Sequence, residues 1–233
     1  MKHLLSIFLL CLLITSCNSE TESNFTLKGS IKGLKKGMVY LQKEGDSTII
    51  SLDSMAINGQ SEFVLNTTIE EPILLYLKLF KNDGEEHFIP FFADKGETVI
   101  NTTLKNFNFD AKIKGSKQQE LLDEYLKVMN KFNNQNLELI EATYLAQKNK
   151  DKVALDSLNT VSEALFKRKY TYTIQYALNN NDNEVAAYLA LYEIPSANPI
   201  YVDSIYNGLT EPIKQSYYGV KLEELLKNKN VEE

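Results

Sequence analysis

The chain predicts an α+β fold: an N-terminal antiparallel β-sandwich or partly open barrel followed by a C-terminal helical region. From Asn24 to about Lys114, short apolar and β-branched runs alternate with Gly, Asn and Asp turn residues, the pattern of short strands. From Ser116 onward the apolar residues recur every three to four positions, the period of amphipathic helices. A hydrophobic content of 43%, with 13 Tyr and 11 Phe, supplies the apolar surface that a packed core needs and a disordered chain lacks.

The first residues stand apart from that fold. Met1-Lys2-His3 is followed by an apolar run from Leu4 to Ile14 and the small polar pair Thr15-Ser16, the layout of a secretory signal. The run is about eleven residues long, against roughly 20 for a membrane-spanning helix. Ile14-Thr15-Ser16-Cys17 resembles the lipobox of bacterial lipoproteins, which implies cleavage before Cys17 and acylation of that cysteine. The expectation is a chain held on the bilayer through acylated Cys17, in the outer membrane of a Gram-negative bacterium. More than one acyl chain is needed for stable anchoring. Residues 18–23 form a polar, acidic tether, compatible with either surface display or a periplasm-facing anchor. The expected divisions are 1–16 signal, 17–23 lipidated cysteine and tether, 24–115 β domain and 116–233 helical domain.

Within the β region, Phe25, Leu27 and Ser30-Ile31 start a strand that ends at Gly33 to Gly37. Met38 to Gln42 is the second. Gly45-Asp46 turns the chain into Thr48 to Leu52, and Asn58-Gly59 predicts a type I′ hairpin into Glu62 to Leu65. Ile73 to Phe80 is apolar almost throughout, as a strand covered on both faces would be. Asn82-Asp83-Gly84 turns into His87 to Phe92, and Lys95-Gly96 into Thr98 to Thr102. Seven or eight strands result.

In the helical region, Ser116 and Gln119 form a capping-box pattern at a helix start. Leu122, Tyr125, Met129 and Phe132 lie on one face of that helix. A second helix spans about Asp151 to Leu178, with Leu155, Leu158, Val161 and Leu165. Asn181 with Glu184 suggests another capping box before Val185 to Tyr192. A short helix near Tyr201 to Leu209 follows, and Pro212 marks the start of a last one to about Lys227.

Composition excludes much chemistry. The chain has two cysteines, Cys11 in the signal and Cys17 at the lipid site, and His87 is the one histidine outside the signal. No intramolecular disulfide or Cys-x-x-Cys is then possible after processing, and a zinc site would have to lean on carboxylates. A Ser-His-Asp device could use His87 alone as base, with no nucleophile-elbow pattern near it. Glycines are scattered and form no phosphate loop. Loss of Lys2 leaves 24 basic residues against 31 acidic, a formal balance of −7, with Arg168 the one arginine. Such a chain is a poor nucleic-acid binder. No cofactor and no catalytic residue are expected.

Asp83, Glu85, Glu86 and His87 form the one cluster of acids beside an imidazole, a weak candidate for a hard cation or an acid/base pair. Glu70-Glu71 and Glu223-Glu224 are sequence neighbours that local geometry points apart. The tyrosines of the helical half (Tyr170, Tyr172, Tyr176, Tyr188, Tyr192, Tyr201, Tyr206, Tyr217 and Tyr218) either line a groove for a peptide or glycan or serve as core and rim residues.

Phe25 to Gly33, then Gly37 to Leu41, resembles the opening of the domain of unknown function numbered 4369. Asp53-Ser54, Asn58-Gly59, Phe63 and Pro72 follow in that family's order. Phe91 to Glu97 and Ile113 to Ser116 look like its later segments, and Val185 to Tyr188 and Ser216 to Gly219 are similar to the linker of longer relatives. The resemblance implies an accessory region that, in many relatives, precedes a thioredoxin-like domain of the thiol-disulfide interchange type. This chain has no catalytic cysteine pair, so no redox residue carries over.

Three function classes remain open: a membrane-anchored interaction module with an envelope protein partner, a carrier with a small-molecule or glycan pocket between the halves, and a carboxylate-only hydrolase. The missing catalytic residues favour the first. A large exposed apolar patch would support it, and a deep enclosed pocket would support the second.

Overall fold

The computed structural model describes residues 23–45, 47–81 and 85–232. The signal-like segment, Cys17, the tether up to residue 22, Asp83, and positions 46 and 82–84, where turns are expected, lie outside them.

Eight strands are present: β1 (Phe25–Lys32), β2 (Lys36–Glu44), β3 (Ile49–Asn58), β4 (Glu62–Thr67), β5 (Ile73–Phe80), β6 (Glu86–Ala93), β7 (Gly96–Thr103) and β8 (Lys112–Lys114). They form two four-stranded sheets, ordered β4-β1-β7-β8 and β3-β2-β5-β6. Alternation along each strand sends one set of side chains inward. Phe25, Leu27, Phe63, Leu65 and Ile100 of the first sheet meet Val39, Leu41, Leu75, Leu77 and Phe91 of the second in one buried core. The result is a sandwich and not a closed barrel.

Two local expectations need correction. The pairing is antiparallel except between β1 and β7, which run parallel with Leu27 opposite Thr98. Five strands separate that pair in sequence, enough chain for β7 to re-enter in the same direction. Asn58-Gly59 also does not close a type I′ hairpin. Gly59 alone takes a positive φ, +103°, and β3 and β4 lie in different sheets. The turn is a corner between sheets. Asp53 ties it together, accepting from the Asn66 N–H of β4 at 2.7 Å.

The helices are α1 (Lys117–Lys148), α2 (Lys152–Asn179), α3 (Glu184–Tyr192), α4 (Pro199–Gly208), α5 (Glu211–Lys214) and α6 (Tyr217–Glu232). Ser116 caps α1 by accepting from the Gln119 N–H at 3.0 Å. The Gln119 side chain does not complete a capping box, because it reaches Phe92 instead. Asp94, just past β6, accepts from Lys117 N–H at 2.6 Å, placing a carboxylate at the positive end of α1. Asp151 caps α2 through the Ala154 N–H.

The cap of α3 is Asn183 rather than Asn181, and it makes no side-chain capping bond. Asn181 donates instead to the Gly208 carbonyl. The expected last helix is broken in two between Lys214 and Tyr217. Gly219 shows why: a β-carbon there would sit 1.9 Å from the Ile213 carbonyl oxygen, so α6 crosses against the end of α5 at a distance only glycine permits.

α3 is the centre of the helical half, with Val185, Ala186, Ala187, Leu189 and Ala190 all buried. Phe92 belongs to this helical core although its neighbour Phe91 belongs to the sandwich core. Ile73 and Leu74 also pack against it. The apolar character of β5 and β6 thus has a specific cause: helices cover the outer face of the second sheet at the Ile73 and Phe92 end.

Candidate functional site

The seam between the two halves is built from polar anchors around an aromatic centre. Gln119 of α1 accepts from the Phe92 N–H of edge strand β6 at 2.8 Å and donates to Asp123 at 2.7 Å. Gln118 accepts from Val185 N–H at 3.0 Å. Tyr218 of α6 accepts from Leu74 N–H at 3.0 Å, and Glu71 accepts from Tyr217 N–H at 2.9 Å. The bonds from the Phe92, Val185, Leu74 and Tyr217 N–H groups each satisfy a backbone donor that packing removes from water.

Beside these anchors lies a small cavity of about 70 Å³, floored by Ile73 and Leu74 and walled by Tyr76, Tyr188, Tyr192, Tyr217 and Tyr218, with Glu44 at its mouth. Three features of the chain assemble it. Tyr188 and Tyr192 are one turn apart on α3. Tyr217 and Tyr218 open α6. Tyr76 of β5 sits opposite Gln42 of β2, and Glu44 is two residues further along β2 on the same face. Tyr76 donates to Glu44 Oε1 at 2.8 Å. Burial pushes the Tyr188 hydroxyl up to about 12. Burial also raises Tyr76, Tyr192 and Tyr218, and the Glu44 charge adds to the rise at Tyr76, Tyr188 and Tyr192. These phenols stay neutral across physiological pH.

The second feature is an arm. Beyond Tyr125 and Met129, α1 and α2 run as an antiparallel pair that the rest of the molecule does not cover. Their facing positions follow a 3–4 spacing: Phe132, Asn136, Leu139, Thr143 and Ala146 on α1, and Leu155, Leu158, Ser162, Leu165 and Lys169 on α2. Polar residues occupy several of these places, so the seam within the arm is weak. One flank exposes Leu126, Leu137, Ile140 and Tyr144 of α1, and Phe166 of α2; Leu137 and Tyr144 are each 64% exposed. Phe166 packs against Tyr170 with ring centroids 4.3 Å apart and planes tilted by 39°. Both border a groove of about 530 Å³ that also takes in Ile174, Ala197 and Tyr201. The opposite flank holds a groove of about 560 Å³ lined by Ala142, Val161, Ala164 and Arg168.

The tyrosines of the helical half therefore do not form one groove. Tyr172 and Tyr176 surround buried Tyr125 at the arm's root. Tyr188, Tyr192, Tyr217 and Tyr218 line the seam cavity, Tyr170 and Tyr201 the arm groove, and Tyr206 lies under Lys214.

The acidic and histidine cluster is dispersed by strand geometry. Glu86 pairs with Lys78 at 2.5 Å on the outer face of β5 and β6. His87, the next residue, points to the opposite face, where its ring meets the edge of Phe107 at 6.1 Å. Glu85 Oε2 is 3.6 Å from His87 Nε2, beyond hydrogen-bond range. Among the described residues, no three acidic, histidine or cysteine side chains are grouped to hold a metal, and no helix is long and apolar enough to cross a membrane.

Sequence reasoning missed Glu44 and Glu184. Glu184 is 5% exposed, and its Oε2 lies 2.6 Å from Ser216 Oγ. Glu44 carries no local motif, and the capping-box pattern of Asn181 with Glu184 does not point to Ser216.

No curated protein and no solved structure matches the chain. Residues 25–122, which span the whole sandwich and the first turns of α1, match the family described as Domain of unknown function (DUF4369).

Proposed function

We propose that this protein is a lipid-anchored envelope protein that acts as a non-catalytic interaction module, with the α1–α2 arm as its docking element. The exposed apolar flank of that arm carries the proposal. Contiguous large apolar side chains at helical spacing, left open on a two-helix arm, are the surface that another helix covers in a bundle. The lipid anchor rests on the signal-like segment before Cys17 and its lipobox resemblance. The thioredoxin-like relation of the resembling family makes a redox protein of the envelope one candidate partner.

Charge selects the kind of partner. Residues 131–169 carry seven basic and five acidic side chains in a chain that is acidic overall. The basic groups sit at the two ends: Lys131, Lys167, Arg168 and Lys169 at the root, and Lys148, Lys150 and Lys152 at the tip. A second copy would bring basic ends together whether the arms ran parallel or antiparallel. The occupant that fits is an amphipathic helix of a different envelope protein, with acidic residues flanking its apolar stripe. The seam cavity is too small to enclose a sugar ring, so a glycan pocket between the halves lacks support.

The test uses the full chain in its native membrane. A photo-reactive amino acid at Leu137 should cross-link to one membrane protein, at a peptide that is amphipathic, helical and acid-flanked. Leu137→Glu with Ile140→Glu should abolish that product, and Cys17→Ala should release the protein from the membrane fraction. Cross-links to a second copy alone, or none, would remove the docking proposal. A Cys17→Ala protein that stayed with the membrane would remove the anchor.

A further inference from the structure

The seam cavity has the chemistry of a cation cage. Its walls include tyrosine rings packed nearly at right angles to one another: the ring of Tyr218 makes 81° with Tyr188, 80° with Tyr192 and 80° with Tyr217. A ring face turned toward the cavity presents the negative side of its quadrupole. The carboxylate of Glu44 stands at the mouth, exposed, with one oxygen held by Tyr76. The neutral phenols and the Glu44 carboxylate favour a positive charge, against the opposing charge of Lys221 on the Tyr217 ring.

Size and hydrogen bonding narrow the ligand further. At about 70 Å³ the space takes roughly five water-sized groups, the bulk of a nitrogen with its methyl substituents. A primary ammonium carries three N–H donors that need acceptors. Around this cavity part of the acceptor capacity is taken: Tyr218 accepts from Leu74 N–H, and one Glu44 oxygen accepts from Tyr76. A quaternary nitrogen has no N–H to satisfy and gains from ring faces directly. One ring face is already taken: the Lys221 ammonium of α6 lies 4.6 Å from the centroid of Tyr217, so the faces left for a ligand are those of the other tyrosines.

We propose that the cavity formed by Tyr76, Tyr188, Tyr192, Tyr217 and Tyr218 binds a trimethylammonium group, with Glu44 as its counter-charge. This site lies across the seam from the arm and is independent of what docks there. The group can arrive as free choline or as the phosphocholine end of a lipid, and both present the same head to the rings. Access runs past Tyr192, which is 44% exposed, and past Glu44.

The full chain in alkyl maltoside, a detergent without choline, is titrated by calorimetry with choline, phosphocholine and 3,3-dimethylbutanol, the neutral isostere of choline. Choline should bind at least about tenfold more tightly than the isostere, because shape is matched and only charge differs. Glu44→Gln and Tyr192→Ala should each weaken choline about tenfold, whereas Tyr192→Phe should keep wild-type affinity, since the ring face remains. Both positions are solvent-exposed, so the variants should retain the wild-type circular dichroism and melting curve, and that is checked alongside. If phosphocholine binds more tightly than choline, the source is a lipid head; the reverse order points to the free alcohol. The assignment is overturned if the isostere binds as well as choline, if Glu44→Gln and Tyr192→Ala leave affinity unchanged, or if choline gives no heat at about 10 mM.

Discussion

Glu184 Oε2 and Ser216 Oγ lie 2.6 Å apart inside the helical half, and the same hydroxyl is 2.8 Å from the Ile213 carbonyl oxygen. A hydroxyl has one proton and cannot donate to both. A protonated Glu184 resolves the conflict by donating to Ser216, which then donates to Ile213. Electrostatics agrees. Burial drives the Glu184 carboxyl up from 4.5 to about 7, the Ser216 hydrogen bond opposes the rise, and the nearby Glu71 charge adds to it.

The folded state therefore holds a proton that the unfolded state releases near pH 4.5. The stability this contributes is complete below that value and is lost as pH rises through about 7. The loss is on the order of 2 kcal/mol. Urea unfolding between pH 5 and 8.5 should show it. Glu184→Gln, which keeps shape and donor, should flatten the profile and exceed wild type at pH 8. Parallel profiles for the two proteins would refute the linkage.

The seam rests on side chains that satisfy strand backbone. Tyr218→Phe leaves the Leu74 N–H without its acceptor and should cost roughly 1–3 kcal/mol. Gln119→Ala strips the partner of Phe92 N–H and should cost a similar amount. Denaturant melts of both variants measure this. If each costs less than about 0.5 kcal/mol, water replaces these bonds and the seam is looser than its geometry indicates.

Much of this architecture could be read along the chain, because local patterns report local geometry. The apolar run of β5 announced cover on both faces, and the helical core supplies it at the Ile73, Leu74 and Phe92 end. Ser116 announced the start of α1 and caps it. Patterns failed where a residue's partner is distant. Glu184 looked like the end of a capping box, yet its partner is Ser216, on the approach to α6. Glu44 and Tyr76 share no motif; only the β2–β5 register brings them together. The grouping of Glu86 with His87 was avoidable, since neighbours on a strand face opposite ways.

Gly219 sets how closely α6 crosses the end of α5. A methyl group there would meet the Ile213 carbonyl at 1.9 Å and the Lys214 carbonyl at 2.7 Å, both rigid backbone atoms. Gly219→Ala should therefore cost about 3 kcal/mol or more, despite alanine's better helix propensity. Gly208→Ala is the contrast. Its added methyl meets only the end of the Leu178 side chain, at 3.2 Å, which can shift. Thermal melts of the pair should differ clearly; equal melting temperatures would mean that α5 and α6 can separate without loss.

The arm predicts a dissociation between stability and association. Leu137 and Ile140 are 64% and 56% exposed, so replacing both with glutamate removes little buried area. Surface changes of this kind usually stay within about 0.5 kcal/mol. Binding should respond quite differently, because a charge placed in the centre of a covered apolar stripe is desolvated without a partner. Phe166→Ala supplies a second case from α2: it removes the ring packed against Tyr170 and opens the groove toward Tyr201. Sedimentation should show wild type and all variants as monomers, since the basic ends of two arms repel. Membrane cross-linking should lose its product in the variants while their melts stay near wild type. A variant that loses stability in step with cross-linking would instead make these residues part of the protein's own core.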